Sequence, residues 1–157
     1  MTERIQLNLE WLRQASDLLN RLSSSAFGEV SGHMRHILEF YECFLEGLPS
    51  GRIDYDARKR DQSIERSAVA ADARIHLLSD RLKTAPELRG DALVWVRLEE
   101  SDATSSVGRE LQVLSSHTVH HFALIALTLR AHGVAVDPKF GVAPSTLRYR
   151  ESKAEAA

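Results

Sequence analysis

The sequence predicts an all-α protein: a four-helix bundle with a long crossover between helices 3 and 4. Apolar residues recur with a helical period in four long segments. Residues 91–99 are instead β-branched and aromatic, and they separate the third segment from the fourth. The chain of 157 residues is long enough for one domain with its own core. We expect that domain over residues 1–150, followed by a frayed tail over residues 151–157.

The first two predicted helices are amphipathic. Helix 1 covers about twenty residues, and a serine run with Gly28 is expected to end it. Helix 2 spans about residues 30–48 and is closed by glycine and proline. The apolar positions that define helix 1 are Ile5, Leu9, Leu12, Leu19 and Leu22, with Leu7, Trp11 and Leu18 widening the face.

The second half of the chain contains two predicted helices separated by a short β-forming segment. Helix 3 follows apolar steps of four and three over residues 64–82. Residues 91–99 then form a short strand or an extended crossover. Helix 4 starts at Ser105 or Ser106, either of which suits an N-cap, and stops at Gly133. Residues 137–150 are expected to be irregular and to lie back across the bundle.

Composition narrows the functional classes. A net charge of −2 gives no electrostatic argument for nucleic-acid binding. The N-terminus does not have the pattern of a signal peptide, and no apolar run approaches the roughly 18–20 residues that span a bilayer. The single cysteine, Cys43, fits a reducing compartment and is interpreted as an inert core residue. We therefore expect a cytoplasmic protein with neither nucleic-acid nor membrane partners.

The most informative stretch contains His117 and His121. On a helix, residues four apart lie on one face, so both imidazoles can point to one spot, whereas His120 faces the opposite way. Two converging neutral imidazoles are half of a transition-metal site. A third ligand is available in helix 2, where periodicity puts His33 nearer the centre of the apolar face and His36 at its border. A groove between two helices uses border positions, so the residues alone leave this choice open.

Other metal motifs do not fit. A zinc-protease helix needs glutamate directly after the first histidine, where this chain has Thr118, and no Glu-x-x-His motif of a di-iron bundle occurs. Residues 54–61 carry three basic side chains between acids. This segment is either a solvated loop or a clamp for a carboxylate or phosphate. Arg109 and Glu110 are either neighbours of the site or a surface ion pair.

Gly-x-x-x-His on helix 2 (Gly32 to His36) and His-x-x-x-His on helix 4 resemble the DinB/YfiT-like metalloenzyme superfamily, the damage-inducible family unrelated to the polymerase of that name. The resemblance covers residues 5–135. It implies a metal triad of His36, His117 and His121, with His33 beside it as an extra ligand or a neighbour of the ligands. It also implies zinc or nickel as cofactor and a homodimer. Its members include thiol-dependent transferases and hydrolases.

Two functional classes follow from these observations. The first is a divalent-metal-dependent enzyme that either hydrolyses a small-molecule substrate or transfers a low-molecular-weight thiol, with Glu39 and Glu110 as the weak candidates for a base. The second is a non-catalytic helical binding or stress-response module whose histidines are structural. A metal sensor or carrier is a further, weaker hypothesis.

Overall fold

Helices and a small sheet together build the part of the chain that the computed structural model describes, residues 1–155. The helices are α1 (Thr2–Leu19), α2 (Ser24–Gly47), α3 (Gln62–Arg66), α4 (Ala68–Thr84), α5 (Val107–Ala131) and α6 (Pro144–Glu155). The strands are β1 (Arg52–Asp54), β2 (Leu93–Leu98) and β3 (Ser101–Ser106). The prediction of an all-α, DinB/YfiT-like four-helix bundle is therefore wrong, because the fold is α+β.

The sheet has the order β1-β2-β3. Strand β1 pairs in parallel with β2, with Ile53 opposite Val96, and β2 pairs antiparallel with β3. The predicted strand in residues 91–99 is confirmed by β2, whose Val94 and Val96 face inward and are buried. The partner strands β1 and β3 were not predicted. The predicted crossover between helices is instead part of a mixed sheet.

The turn between β2 and β3 explains why this hairpin is hard to predict. Glu99 and Glu100 adopt φ angles of 51° and 61°, a left-handed conformation that usually requires glycine or asparagine. The carboxylate of Asp56 accepts hydrogen bonds from both of their backbone amides, each at 2.9 Å. A residue distant in sequence thus supports a turn for which the local sequence carries no signal.

Serines set several helix boundaries. Ser23 caps α2, so that helix starts earlier than predicted and Gly28 lies inside it. Ser67 ends α3 and caps α4, so the predicted third helix is broken in two. Ser106 caps α5 by accepting a hydrogen bond from the amide of Arg109, as one of the two predicted N-caps.

The C-terminal tail also differs from the prediction. Phe140 is buried and stacks on Phe122 with ring centroids 4.4 Å apart, so this segment does lie back on α5. However, residues 144–155 form α6, which includes residues 151–155 of the predicted frayed tail. The last two tail residues lie outside the described chain.

None of the helices in residues 1–155 combines the length and the apolar character needed to cross a bilayer.

A buried polar network joins α1, α2 and α5 inside the apolar core. The Tyr41 hydroxyl donates to Asn8 Oδ1 at 2.7 Å and accepts from Thr118 Oγ1 at 3.4 Å. Asn8 Nδ2 donates to the carbonyl of Leu111 at 3.0 Å. Since buried polar groups are costly without partners, this network favours one relative rotation of the three helices.

Two glycines of α2 provide a matched test of this packing. A Cβ at Gly47 would lie 2.4 Å from the backbone oxygen of Arg52, whereas a Cβ at the exposed Gly28 meets nothing within 4 Å. We expect Gly47→Ala to lower the free energy of unfolding by about 1–3 kcal/mol, because α2 and β1 must separate. Gly28→Ala should raise it by roughly 0.5–1 kcal/mol through helix propensity. Urea denaturation measures both, and equal effects would contradict this packing.

Candidate metal centre

Three histidines converge where α2 packs against α5. One possible ligand atom from each of His36, His117 and His121 lies within 4.8 Å of the other two. Nε2 of His36 is 3.0 Å from Nε2 of His117. Two imidazole nitrogens bound to one tetrahedral zinc ion are about 3.3 Å apart, given a Zn–N bond of about 2.0–2.1 Å. The cluster could therefore hold a metal ion with small side-chain adjustments.

The local helical geometry produces this arrangement. His117 and His121 lie one turn apart on α5, and their ring centroids are 4.6 Å apart. His36 on α2 faces both rings, with centroids 4.8 Å from His117 and 4.7 Å from His121. His120 is exposed, as the periodicity predicted.

The structure gives the two histidines of α2 different positions. His36 faces both rings from α5 and belongs to the cluster of three, whereas His33 contacts His121. Nδ1 of His33 is 3.0 Å from Nδ1 of His121. Nε2 of His121 is therefore the ring nitrogen that does not take part in this contact. His33 is thus placed to orient His121, and the ligand assignment stays a prediction.

Burial keeps the three converging imidazoles uncharged near neutral pH. Desolvation is the main cause in each case, and it lowers the pKa of His36 and His121 to about 4 and that of His117 to about 3. Repulsion among the rings and from the Arg58 guanidinium lowers the pKa of His117 further. Neutral imidazoles retain the lone pairs that a metal ion requires.

Aromatic side chains form one wall of the site. The Phe40 ring stacks on His117, with ring centroids 3.9 Å apart and planes at 15°. The Tyr55 ring stacks on Phe40 in turn, with centroids 4.8 Å apart. Phe40 lies one helical turn after His36, so its position on α2 could have indicated this role. The contribution of Tyr55 depends on the placement of β1 and could not be read from local sequence.

The basic segment 54–61 reaches the site through one residue. Arg58 donates from Nη1 to Nδ1 of His36 and from Nε to the carbonyl of Tyr55 at 3.2 Å. Its guanidinium also lies over the Phe40 ring, 5.4 Å from the centroid. Lys59 instead pairs with Glu46 at 2.7 Å. Of the two alternatives for this segment, a solvated loop or a clamp, the exposed Lys59 and Arg60 fit the loop, and Arg58 contacts the histidine cluster.

The acidic candidates do not contact the histidines in the described part of the chain. Glu39 accepts a hydrogen bond from the backbone amide of Asp61 at 2.7 Å. Buried Glu110 accepts from the Tyr55 hydroxyl at 2.9 Å and from Ser105 at 2.6 Å. Neither carboxylate is hydrogen-bonded to His36, His117 or His121, so neither is positioned as a base there.

Two other candidates also lie apart from this chemistry. Burial raises the pKa of the Cys43 thiol to about 11, so it stays protonated and unreactive. The exposed Arg109 donates its backbone amide to the Ser106 cap. Arg109 is therefore a surface residue in the first turn of α5.

Comparison with known proteins gives limited information. No family model matches the chain, and no solved structure matches it. FK506-binding protein 5 of Rhizopus delemar is 32% identical over 113 residues, which cover 65% of this chain and 29% of that protein. The chain thus spans less than a third of this relative. These findings give no support to DinB/YfiT membership or to the metalloenzyme identity that the resemblance implied.

The buried Tyr55–Glu110 contact yields a prediction about the support of the site. Burial raises the pKa of the Tyr55 hydroxyl above its usual range, so it stays protonated and donates to Glu110. We expect Tyr55→Phe to lower the free energy of unfolding by about 1–3 kcal/mol, because a buried carboxylate oxygen loses its donor. Tyr149→Phe, at a tyrosine that is 62% exposed, should change it by less than about 0.5 kcal/mol. Equal denaturation midpoints for wild type and Tyr55→Phe would contradict the assignment.

Proposed function

We propose that this protein binds one divalent transition-metal ion through His36, His117 and His121 and uses it to activate a small-molecule thiol. The observation that carries the proposal is the convergence of three imidazoles from two helices, with ligand atoms within 4.8 Å of one another. This spacing, together with the lowered pKa values of all three rings, suits a metal ion better than separate structural histidines.

The donor set guides the choice of metal. Three neutral nitrogen ligands suit zinc or nickel, and they leave at least one coordination position for a small molecule. A divalent ion held in this way lowers the pKa of a thiol or water bound to it, which supplies a nucleophile near neutral pH.

The surroundings of the cluster favour a thiol over water as the nucleophile. A thiol needs only to lose its proton to solvent, after which the sulfur forms a bond to an electrophilic carbon and the leaving group departs with its electron pair. Hydrolysis gains more from a carboxylate base, and Glu39 and Glu110 make their hydrogen bonds elsewhere.

Metal content provides the direct test. We expect about one zinc or nickel ion per chain after metal loading and desalting, measured by inductively coupled plasma mass spectrometry. His36→Ala, His117→Ala and His121→Ala should each lose it, because two imidazoles alone bind weakly. His33→Ala should keep the stoichiometry, since His33 contacts His121 but is not one of the three histidines of the cluster.

The exposed His120 gives the matched control, and His120→Ala should bind metal as wild type does. Unchanged metal content in His36→Ala together with loss in His33→Ala would move the ligand role to His33. A wild-type protein that remains metal-free after incubation with both ions would overturn the proposal and favour the non-catalytic module.

A further inference from the structure

Arg58 is a half-buried guanidinium that forms no salt bridge with a carboxylate of residues 1–155, and its hydrogen bonds go to His36 and to the carbonyl of Tyr55. Four other basic side chains of the described residues do have acidic partners, whereas the exposed Arg52 and Arg60 do not. These pairs are Arg35–Glu65, Lys59–Glu46, Arg74–Glu42 and Arg97–Asp56. A positive charge held beside three neutral rings without a carboxylate attracts an anion, and its planar fork matches a carboxylate.

The contact between Arg58 and His36 also has a consequence for the imidazole. Arginine only donates hydrogen bonds, so Nδ1 of His36 must accept, and the proton of the neutral ring lies on Nε2. That same Nε2 faces Nε2 of His117. Ligation of a metal through Nε2 moves the proton to Nδ1, where it would oppose the Arg58 donors. A bound metal and the Arg58–His36 contact are therefore mutually unfavourable.

We propose that Arg58 is the anion-binding residue of this centre and that its ligand is a small thiol carrying a carboxylate. This inference rests on the proposed function. With a metal ion held by the three histidines, the Arg58 guanidinium would be free to bind the carboxylate, and the ion would have a position for the sulfur of the same molecule. The metal ion and Arg58 together carry three positive charges, which a thiolate and a carboxylate partly balance.

The test uses the full chain loaded with Co²⁺ as a spectroscopic substitute. Binding of a thiolate to Co²⁺ gives a charge-transfer absorption that can be titrated with 3-mercaptopropionate and with 2-mercaptoethanol, which lacks the carboxylate. We expect 3-mercaptopropionate to bind wild type about tenfold more tightly or better, as a charge-assisted contact would give. Arg58→Gln should bind Co²⁺ at the same stoichiometry and lose this preference.

Arg52→Gln is the matched control, because it removes the same charge from an exposed position on β1. It should keep the wild-type preference. Arg58→Met, which retains an apolar contact with Phe40, replaces Arg58→Gln if that variant does not give the circular dichroism of the folded protein.

The outcomes separate this inference from the proposed function. Absence of Co²⁺ binding in wild type overturns both. One Co²⁺ ion per chain with equal affinities for the two thiols overturns only the role of Arg58. Persistence of the preference in the folded Arg58 variant overturns that role as well.

Discussion

The packing of α2 against α5 is the constraint on which the rest of the structure depends. Both helices bury large apolar side chains at this contact, and the histidines lie at its border. Fully buried side chains include Met34 and Ile37 of α2 and Leu111, Leu114 and Phe122 of α5. A border position removes enough water to keep imidazoles neutral and still leaves them reachable by a ligand. The same hydrophobic contact therefore stabilises the fold and determines the chemistry of the cluster.

The small sheet matters because it positions a segment that contacts His36 and Phe40. Strand β1 leads directly into Tyr55, whose ring supports Phe40, and then into Arg58. Without the pairing of β1 and β2, this segment would have no fixed position relative to the histidines. A bundle of helices alone would thus leave out one wall of the candidate centre.

Sequence reasoning succeeded where a signal was local and failed where it was distant. The spacing of His117 and His121 requires only one helix, and the residues of β2 are strongly β-forming, so both could be recognised. Strand β3 is polar and follows a Glu99-Glu100 turn that the Asp56 carboxylate supports from 43 positions earlier in the chain. The choice between His33 and His36 depends on how α2 is rotated against α5, which tertiary packing determines.

The loop that carries Arg58 is attached at both ends. The amide of Tyr55 donates to the carbonyl of Arg97 at 2.9 Å, and the amide of Asp61 donates to Glu39 at 2.7 Å. The backbone between these anchors has already lost most of its conformational freedom when the chain folds. Rearrangement of Arg58 then requires changes in side-chain torsions alone, on the nanosecond scale of rotamer exchange. Ligand capture at this position would be limited by diffusion into the groove, because no slow opening of the loop has to precede it.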